Sequence, residues 1–216
     1  MVTDSDGTAL REAIIEQCLA MNRLGINQGT AGNISVRHGD GLLITPGSMP
    51  YDELTPDDIV YLAADGRPEG RRERSSEWRF HYDIMRLRSD VNAIVHAHPT
   101  YSTTIAIMGR DIPAIHYMVA LVGGSNIRCA PYAIFGSEEL SRNAVAALED
   151  RKACLLAHHG LIALGSSLKN AMWLTVEVET LARLYHGCLQ LGEPPLLSDR
   201  QIEEVIAKVS GYGHQG

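Results

Sequence analysis

Asn92-Ala93-Ile94-Val95-His96-Ala97-His98-Pro99 decides how the rest of the chain is read. Its apolar start reads as a buried strand. Pro99 ends it, because proline has no N–H to give to a sheet ladder. Residues i and i+2 of a strand share a face, so His96 and His98 point the same way and Ala97 the other. Two same-facing imidazoles can hold one metal ion if further ligands arrive from elsewhere. By themselves they read equally as solvated or core histidines.

The chain has 216 residues, 45% hydrophobic and 21% charged, which is ordinary globular composition. One domain over 1–216, of the α/β class, is the expectation. With a net charge of −7 and no basic tract beyond Arg71-Arg72-Glu73-Arg74, duplex nucleic acid is not an expected partner. That basic cluster reads as a solvated loop or a local anion-facing edge. Cys18, Cys129, Cys154 and Cys188 are far apart and form no Cys-x-x-Cys, so a thiolate zinc cluster is not indicated. No apolar run approaches the ~20 residues of a membrane helix, and Met1 to Gly7 lacks the apolar core of a signal peptide. No membrane partner, a cytoplasmic location and reduced thiols are expected.

Periodicity and punctuation place the elements. Thr8 to Leu24 is an amphipathic helix ended by Gly25. Asn27-Gln28-Gly29-Thr30-Ala31-Gly32-Asn33 is either a phosphate-cradling loop or a plain helix-to-strand turn. Ile34–Arg37 and Leu42–Thr45 read as hairpin strands across His38-Gly39-Asp40-Gly41. Pro46-Gly47-Ser48 is a second small polar loop. Thr55-Pro56-Asp57-Asp58 carries an N-cap, N1 and N3 signature. Ile59–Ala63 follows as a strand. A helix begins near Trp78, capped by Ser75 or Ser76, with Glu77 in its first turn. Its N-terminus is a ready anion site or an ordinary capped end. Further helices are expected over Thr100–Met108, from Ser137 to Leu148, and over Ser167–Leu191, with Leu174, Val178, Leu181 and Leu184-Tyr185 on one face. Strands are expected over Ile127–Ala130 and Ala153–Ala157, and Ile112–Ile115 is extended. Ser198-Asp199 caps a last short helix, and the tail from Gly211 is loose.

Ala153–Ala157 ends in His158-His159-Gly160, the second strand to deliver histidines at its end. His96, His98 and either His158 or His159 can therefore converge on one metal. Glu77 is the best fourth ligand, because it lies beside Ser75-Ser76. Imidazole-rich ligation favours zinc, with other divalent ions open. His38, His81, His116, His186 and His214 read as surface or core residues. A three-histidine metal beside Gly/Ser/Asn loops fits a small phosphorylated substrate. The metal would act as a Lewis acid on a carbonyl, and the loops would fix the geometry.

Asn27-Gln28-Gly29-Thr30-Ala31-Gly32-Asn33-Ile34-Ser35, Ser75-Ser76-Glu77-Trp78, His96-Ala97-His98 and His158-His159-Gly160-Leu161 together resemble the class II aldolase/adducin family. Ile112-Pro113-Ala114-Ile115-His116-Tyr117 and Cys129-Ala130-Pro131-Tyr132-Ala133 look closest to its branch acting on L-fuculose 1-phosphate. The resemblance implies a three-layer α/β/α fold around a central, mainly antiparallel sheet. It implies a homotetramer with active sites between subunits. One Zn2+ per subunit would sit on Glu77, His96, His98 and His159. Phosphate would sit on Thr30, Gly32, Asn33, Gly47, Ser48, Ser75 and Ser76. Glu77, Tyr117 and Tyr212 would be catalytic, with at least one tyrosine reaching across the interface. The implied reaction is retro-aldol cleavage of L-fuculose 1-phosphate, or a similar ketose 1-phosphate, to dihydroxyacetone phosphate and L-lactaldehyde. Alternatives are a ribulose-phosphate 4-epimerase, a 5-deoxyketose-1-phosphate aldolase or a non-catalytic adducin-like scaffold. Two departures stand out: the hydroxyl of Gly47-Ser48 follows the glycine where relatives place it before, and Arg74 stands where that branch tends to have Pro.

Overall fold

In a computed structural model the chain is described over residues 7–212, with side chains through Val209. The opening stretch forms β5 (Ala93–Ala97), buried at every position. Its alternate residues enter different clusters. Ile94 packs with Phe80, Ile84 and Leu140, while Ala93, Val95 and Ala97 pack with Ile14, Met21 and Met172. A strand covered on both faces reads as a continuous apolar run, which is what this one does.

The helices that cover it are α1 (Thr8–Arg23), α2 (Trp78–Leu87), α3 (Thr100–Ile107), α4 (Glu138–Ala147), α5 (Leu168–Leu191) and α6 (Asp199–Tyr212). The other strands are β1 (Asn33–His38), β2 (Gly41–Ile44), β3 (Val60–Leu62), β4 (Pro68–Glu69), β6 (Ile112–Pro113), β7 (Asn126–Ala130), β8 (Ala153–Leu156) and β9 (Gly160–Gly165). They form one sheet in the order β4-β3-β2-β1-β5-β9-β8-β7-β6.

The α/β class holds, but the sheet is mixed where a mainly antiparallel one is expected. β7 runs parallel to β8, with Cys129 opposite Leu155. The cause is α4, which lies between them in sequence. A helical crossover carries the chain back to the end of the sheet where β7 began, and only then can two consecutive strands run parallel.

Three more differences have local causes. Leu184 is 44% exposed, off the α5 face made by Leu174, Val178, Leu181 and Tyr185. Ten residues from Leu174 is about 80° short of a whole number of turns, whereas eleven residues nearly closes three. The last helix is not short: α6 has 14 residues and takes in Gly211 and Tyr212. Tyr117–Val122 is a 3-10 helix with His116 as its cap, in a stretch where no element is expected. Among the described residues no helix is long and apolar enough to cross a membrane.

The basic cluster stays at the surface, where Arg71 and Arg72 close over one buried carboxylate. Asp58, 1% exposed, accepts from Arg72 Nε at 2.7 Å and Arg71 Nε at 3.1 Å. Thr55 N and Oγ1 donate to its other oxygen at 2.9 and 2.7 Å. Arg74 donates to Gly66 O at 2.6 Å and stacks on Trp78, 3.7 Å from its ring centre. These contacts pin the segment that leads into Ser75-Ser76-Glu77. Burial pushes the Asp58 carboxyl up, but Arg72, Arg71 and Thr55 outweigh it and hold it below the usual carboxylate range. Asp58→Asn is expected to cost about 1–3 kcal/mol at neutral pH. A depressed carboxyl contributes in full above its unfolded value of about 3.9, and the contribution fades below that as both states bind the proton. Urea melts of both proteins at several pH values should show the gap closing only on the acid side. A gap independent of pH would remove the ionic part of this account.

Candidate active site

β5 lies between β1 and β9, with His96 opposite Asn33 on one side and Ile162 on the other. The end of β5 therefore meets the start of β1 and the start of β9. Leu156 pairs with Gly160, so Ala157-His158-His159 make a three-residue hairpin loop. His158 closes that loop in the left-handed region, at φ 57°. Its exposed ring turns toward Tyr132, with centroids 6.0 Å apart. His159, not His158, joins the histidine pair. Gly160 has to be glycine: a Cβ there would stand 2.4 Å from Ala97 O and 2.7 Å from His98 Cδ2.

Glu77 arrives from the loop before α2. Ser75 N donates to Thr45 O at 3.1 Å, and Glu77 N donates to Ser75 Oγ at 3.3 Å. Neither Ser75 nor Ser76 caps α2 as expected: Glu77 itself takes the N-cap position, with no side-chain cap bond, because its carboxylate is turned to the histidines.

The structure brings Glu77, His96, His98 and His159 together, their ligand atoms within 4.8 Å of one another. Glu77 Oε2 is 3.1 Å from His96 Nε2, and Oε1 is 3.2 Å from His159 Nε2. The Nε2 atoms of His96 and His98 are 2.9 Å apart. His96 Nδ1 is 2.8 Å from Leu161 O, which can only accept, so Nδ1 carries the proton and the Nε2 lone pair faces the cluster. Three ring nitrogens and a carboxylate converging at these distances outline a position that a cation can fill. Glu77 Oε1 is buried with no hydrogen-bond partner among the described residues, which is the same signature. Three imidazoles and a carboxylate suit a divalent ion of the zinc type.

Electrostatics agree. Burial, with His96 and His159 nearby, pushes His98 down to about 3. Burial and His96 push His159 down to about 4. Both are neutral ligands at neutral pH. Burial raises the Glu77 carboxyl, but His96, His159 and Asn33 outweigh it and keep it ionised. Burial lowers His96, and the Glu77 carboxylate more than offsets this.

Behind the carboxylate lie groups the sequence reading left as background. Asn33 Nδ2 donates to Glu77 Oε2 at 3.0 Å. His81 bridges Asn33 and Ser35, at 2.5 Å from Asn33 Oδ1 and 2.7 Å from Ser35 Oγ. The signal was available: Glu77 and His81 are one helical turn apart, and Asn33 and Ser35 share a strand face. Asn27 contributes as well, accepting from His98 N at 3.3 Å.

The polar loops gather beside this cluster. At Gly32 a Cβ would stand 2.6 Å from His96 O, so the Asn27–Asn33 loop is laid against the strand end. Tyr51 fastens it, donating to Gly32 O at 2.5 Å. Pro46 bridges Arg74, and Gly47 N donates to Glu73 O at 3.2 Å, so the loops carrying Gly47-Ser48 and Ser75-Ser76 are stitched together. In the departing Gly47-Ser48 order it is Ser48 that takes the left-handed turn, at φ 52°. Thr30, Gly47, Ser48 and Ser76 are exposed, and Ser75 is buried. A cleft of about 360 Å³ opens over the cluster, lined by Ala31, Ser76, Glu77, His98 and His159, with Tyr132, Ile134 and Phe135 opposite. Tyr117 does not line it; its ring is half-exposed and packs on His116 at 4.6 Å. The Tyr212 side chain lies outside the described residues.

The profile for the class II aldolase and adducin N-terminal domain matches residues 12–186. A 5-methylthioribulose-1-phosphate/5-deoxyribulose-1-phosphate aldolase of Rhodospirillum rubrum is 54% identical over 205 residues, covering 95% of this chain and 93% of its own. An L-fuculose phosphate aldolase of Escherichia coli K12 is 52% identical, covering 94% of this chain and 95% of its own. A solved L-fuculose 1-phosphate aldolase superposes with a TM-score of 0.91 at 37% identity, over 94% of this chain and 97% of its own. The metal-type cluster, the loops beside it and these matches agree: the chain belongs to the class II aldolase and adducin family, as a metal-dependent aldehyde-lyase.

Proposed function

We propose that this chain cleaves a deoxyketose 1-phosphate by a retro-aldol reaction, with one zinc ion held by Glu77, His96, His98 and His159. The observation that carries the reading is the buried four-group cluster with an unpartnered Glu77 oxygen at the floor of an open cleft. The substrates in the relatives' names share a 1-phosphorylated ketose head and end in a carbon without a hydroxyl. Tyr132, Ile134 and Phe135 give the cleft an apolar wall, which supports an aldehyde with an apolar end. L-Fuculose 1-phosphate would give L-lactaldehyde, the 5-deoxy pentulose acetaldehyde and the 5-methylthio pentulose (methylthio)acetaldehyde. All would release dihydroxyacetone phosphate.

In the reaction the C3–C4 bond breaks and its electron pair passes to C3. The C4 hydroxyl loses a proton as the aldehyde forms, and C3 gains one. Zinc, when bound, supplies Lewis acidity to the substrate carbonyl. Glu77 carries the proton to C3. Tyr117, from a neighbouring copy, takes the proton at C4, with Tyr212 closing the site. The half-exposed Tyr117 outside its own cleft supports an assembly in which sites form between subunits, and a homotetramer is the form we infer. Thr30, Gly32, Asn33, Gly47, Ser48, Ser75 and Ser76 hold the phosphate through hydroxyls and backbone N–H groups. The stitching of their loops supports this. The four cysteines are free thiols, in keeping with a cytoplasmic enzyme.

A panel of ketose 1-phosphates, with triose phosphate release coupled to its reduction, tests the reaction. Deoxyketoses are expected to be cleaved at least about ten-fold better than the analogue bearing a terminal hydroxyl. Interconversion of epimers without triose phosphate would replace the aldolase by an epimerase. Glu77→Gln is expected to fold normally by circular dichroism and to lose about 10²–10⁴ in turnover; a fully active variant removes the role given to Glu77. Gly160→Ala forces a Cβ against Ala97 O and His98, so zinc affinity in a competition titration should fall by at least about ten-fold. Unchanged affinity would mean that His98 is not a ligand held by this contact.

A further inference from the structure

We propose that His81 is a positioning residue, which through Asn33 fixes the Glu77 carboxylate with Oε2 anchored by Asn33 and Oε1 turned to His159. The inference rests on the aldolase reading only for the last link, the role of Oε1.

His81 is fully buried, as is Ser35, and Asn33 is nearly so. Burial pushes His81 down to about 3, so the ring is neutral and has one donor and one acceptor. The polarity of each contact then follows from the next. Asn33 presents its NH2 to Glu77, Nδ2 donating to Oε2 at 3.0 Å. The Asn33 carbonyl oxygen consequently faces His81 Nε2, at 2.5 Å. That oxygen also only accepts, so Nε2 carries the proton. Nδ1 is left as the acceptor, and Ser35 Oγ donates to it at 2.7 Å. The other tautomer would turn Asn33 over and set its oxygen against Oε2.

A neutral buried imidazole would lose more than it gains without both of these bonds. An apolar side chain would serve a core position beside Phe80 equally well, so packing does not require histidine. The bridge also spans two elements. Asn33 and Ser35 stand on β1, where Asn33 is the register partner of His96, while His81 rides on α2 behind Glu77. It therefore couples the helix that delivers the carboxylate to the strand beside the histidines. The result is an asymmetric carboxylate: Oε2 accepts the Asn33 hydrogen bond, while Oε1 accepts none among the described residues and faces His159 at 3.2 Å. Oε1 is the oxygen assigned to proton exchange.

The test compares His81→Leu, His81→Gln and Ser35→Ala with the wild type, by zinc competition titration and by the separate values of kcat and KM. Leucine keeps neither bond. It should lower zinc affinity and kcat by about 10–100-fold while KM stays within about two-fold. Glutamine can donate to Asn33 and accept from Ser35, and should recover most of both quantities. Ser35→Ala removes a small, distant group and should lower kcat by about three-fold or more with the melting curve intact; it decides the matter if the leucine variant does not fold. A leucine variant with wild-type zinc affinity and kcat overturns the proposal, as does a folded Ser35→Ala with unchanged kcat where leucine does not fold. If the wild type cleaves no ketose phosphate, the aldolase reading fails, while the zinc titration still judges the positioning role.

Discussion

A carboxylate buried among three imidazoles is the constraint on which the site depends. Glu77 and His96 are nearly inaccessible, and their charges and lone pairs have no water to turn to. Such an arrangement is costly unless each group has a partner of the right polarity. The chain provides partners on the outer side of each: Leu161 O for His96, Asn33 for Glu77, Asn27 for the backbone of His98. On the inner side the four groups face each other, and a divalent cation resolves that convergence.

The sheet exists in a form that can carry this load. β5 is clamped by antiparallel partners on both edges and by helices on both faces, so the end of the strand has little freedom. α3 begins directly after His98-Pro99, and its first N–H groups are held by Glu179 of α5 at 2.8 Å. The loops meanwhile lean on backbone contacts that tolerate no side chain at Gly32 or Gly160. Rigidity near the metal and openness above it are therefore supplied by different parts of the chain. The scaffold holds the four groups of the cluster, and the loops beside them stay exposed.

Much of this was legible in the residues. The i, i+2 rule put His96 and His98 on one face, and the capping signature of Thr55-Pro56-Asp57-Asp58 marked a short turn that formed as read. What could not be read were pairings made at a distance. The destination of Arg71 and Arg72 depended on where Asp58 would lie, and the anion their exposed side chains meet is that buried carboxylate of the same chain. His81 looked like an ordinary core residue because its two partners stand on a strand more than forty positions earlier. Periodicity carries the information for a face, but not for what the face will meet.

By itself the sequence determined the α/β class, the same-facing histidine pair at the strand end and the donor chemistry of the cluster, because these rest on residue type and on spacing of a few positions. It left open whether His158 or His159 would turn inward without the family resemblance. Tertiary structure decided that through the left-handed turn at His158. It also decided the parallel β7–β8 pair, through the crossover of α4, and the alignment of His81, Asn33 and Glu77. The physical reason is common to all three. Strand direction, loop handedness and hydrogen-bond polarity are settled by partners remote in the chain, and only the folded arrangement brings those partners into contact.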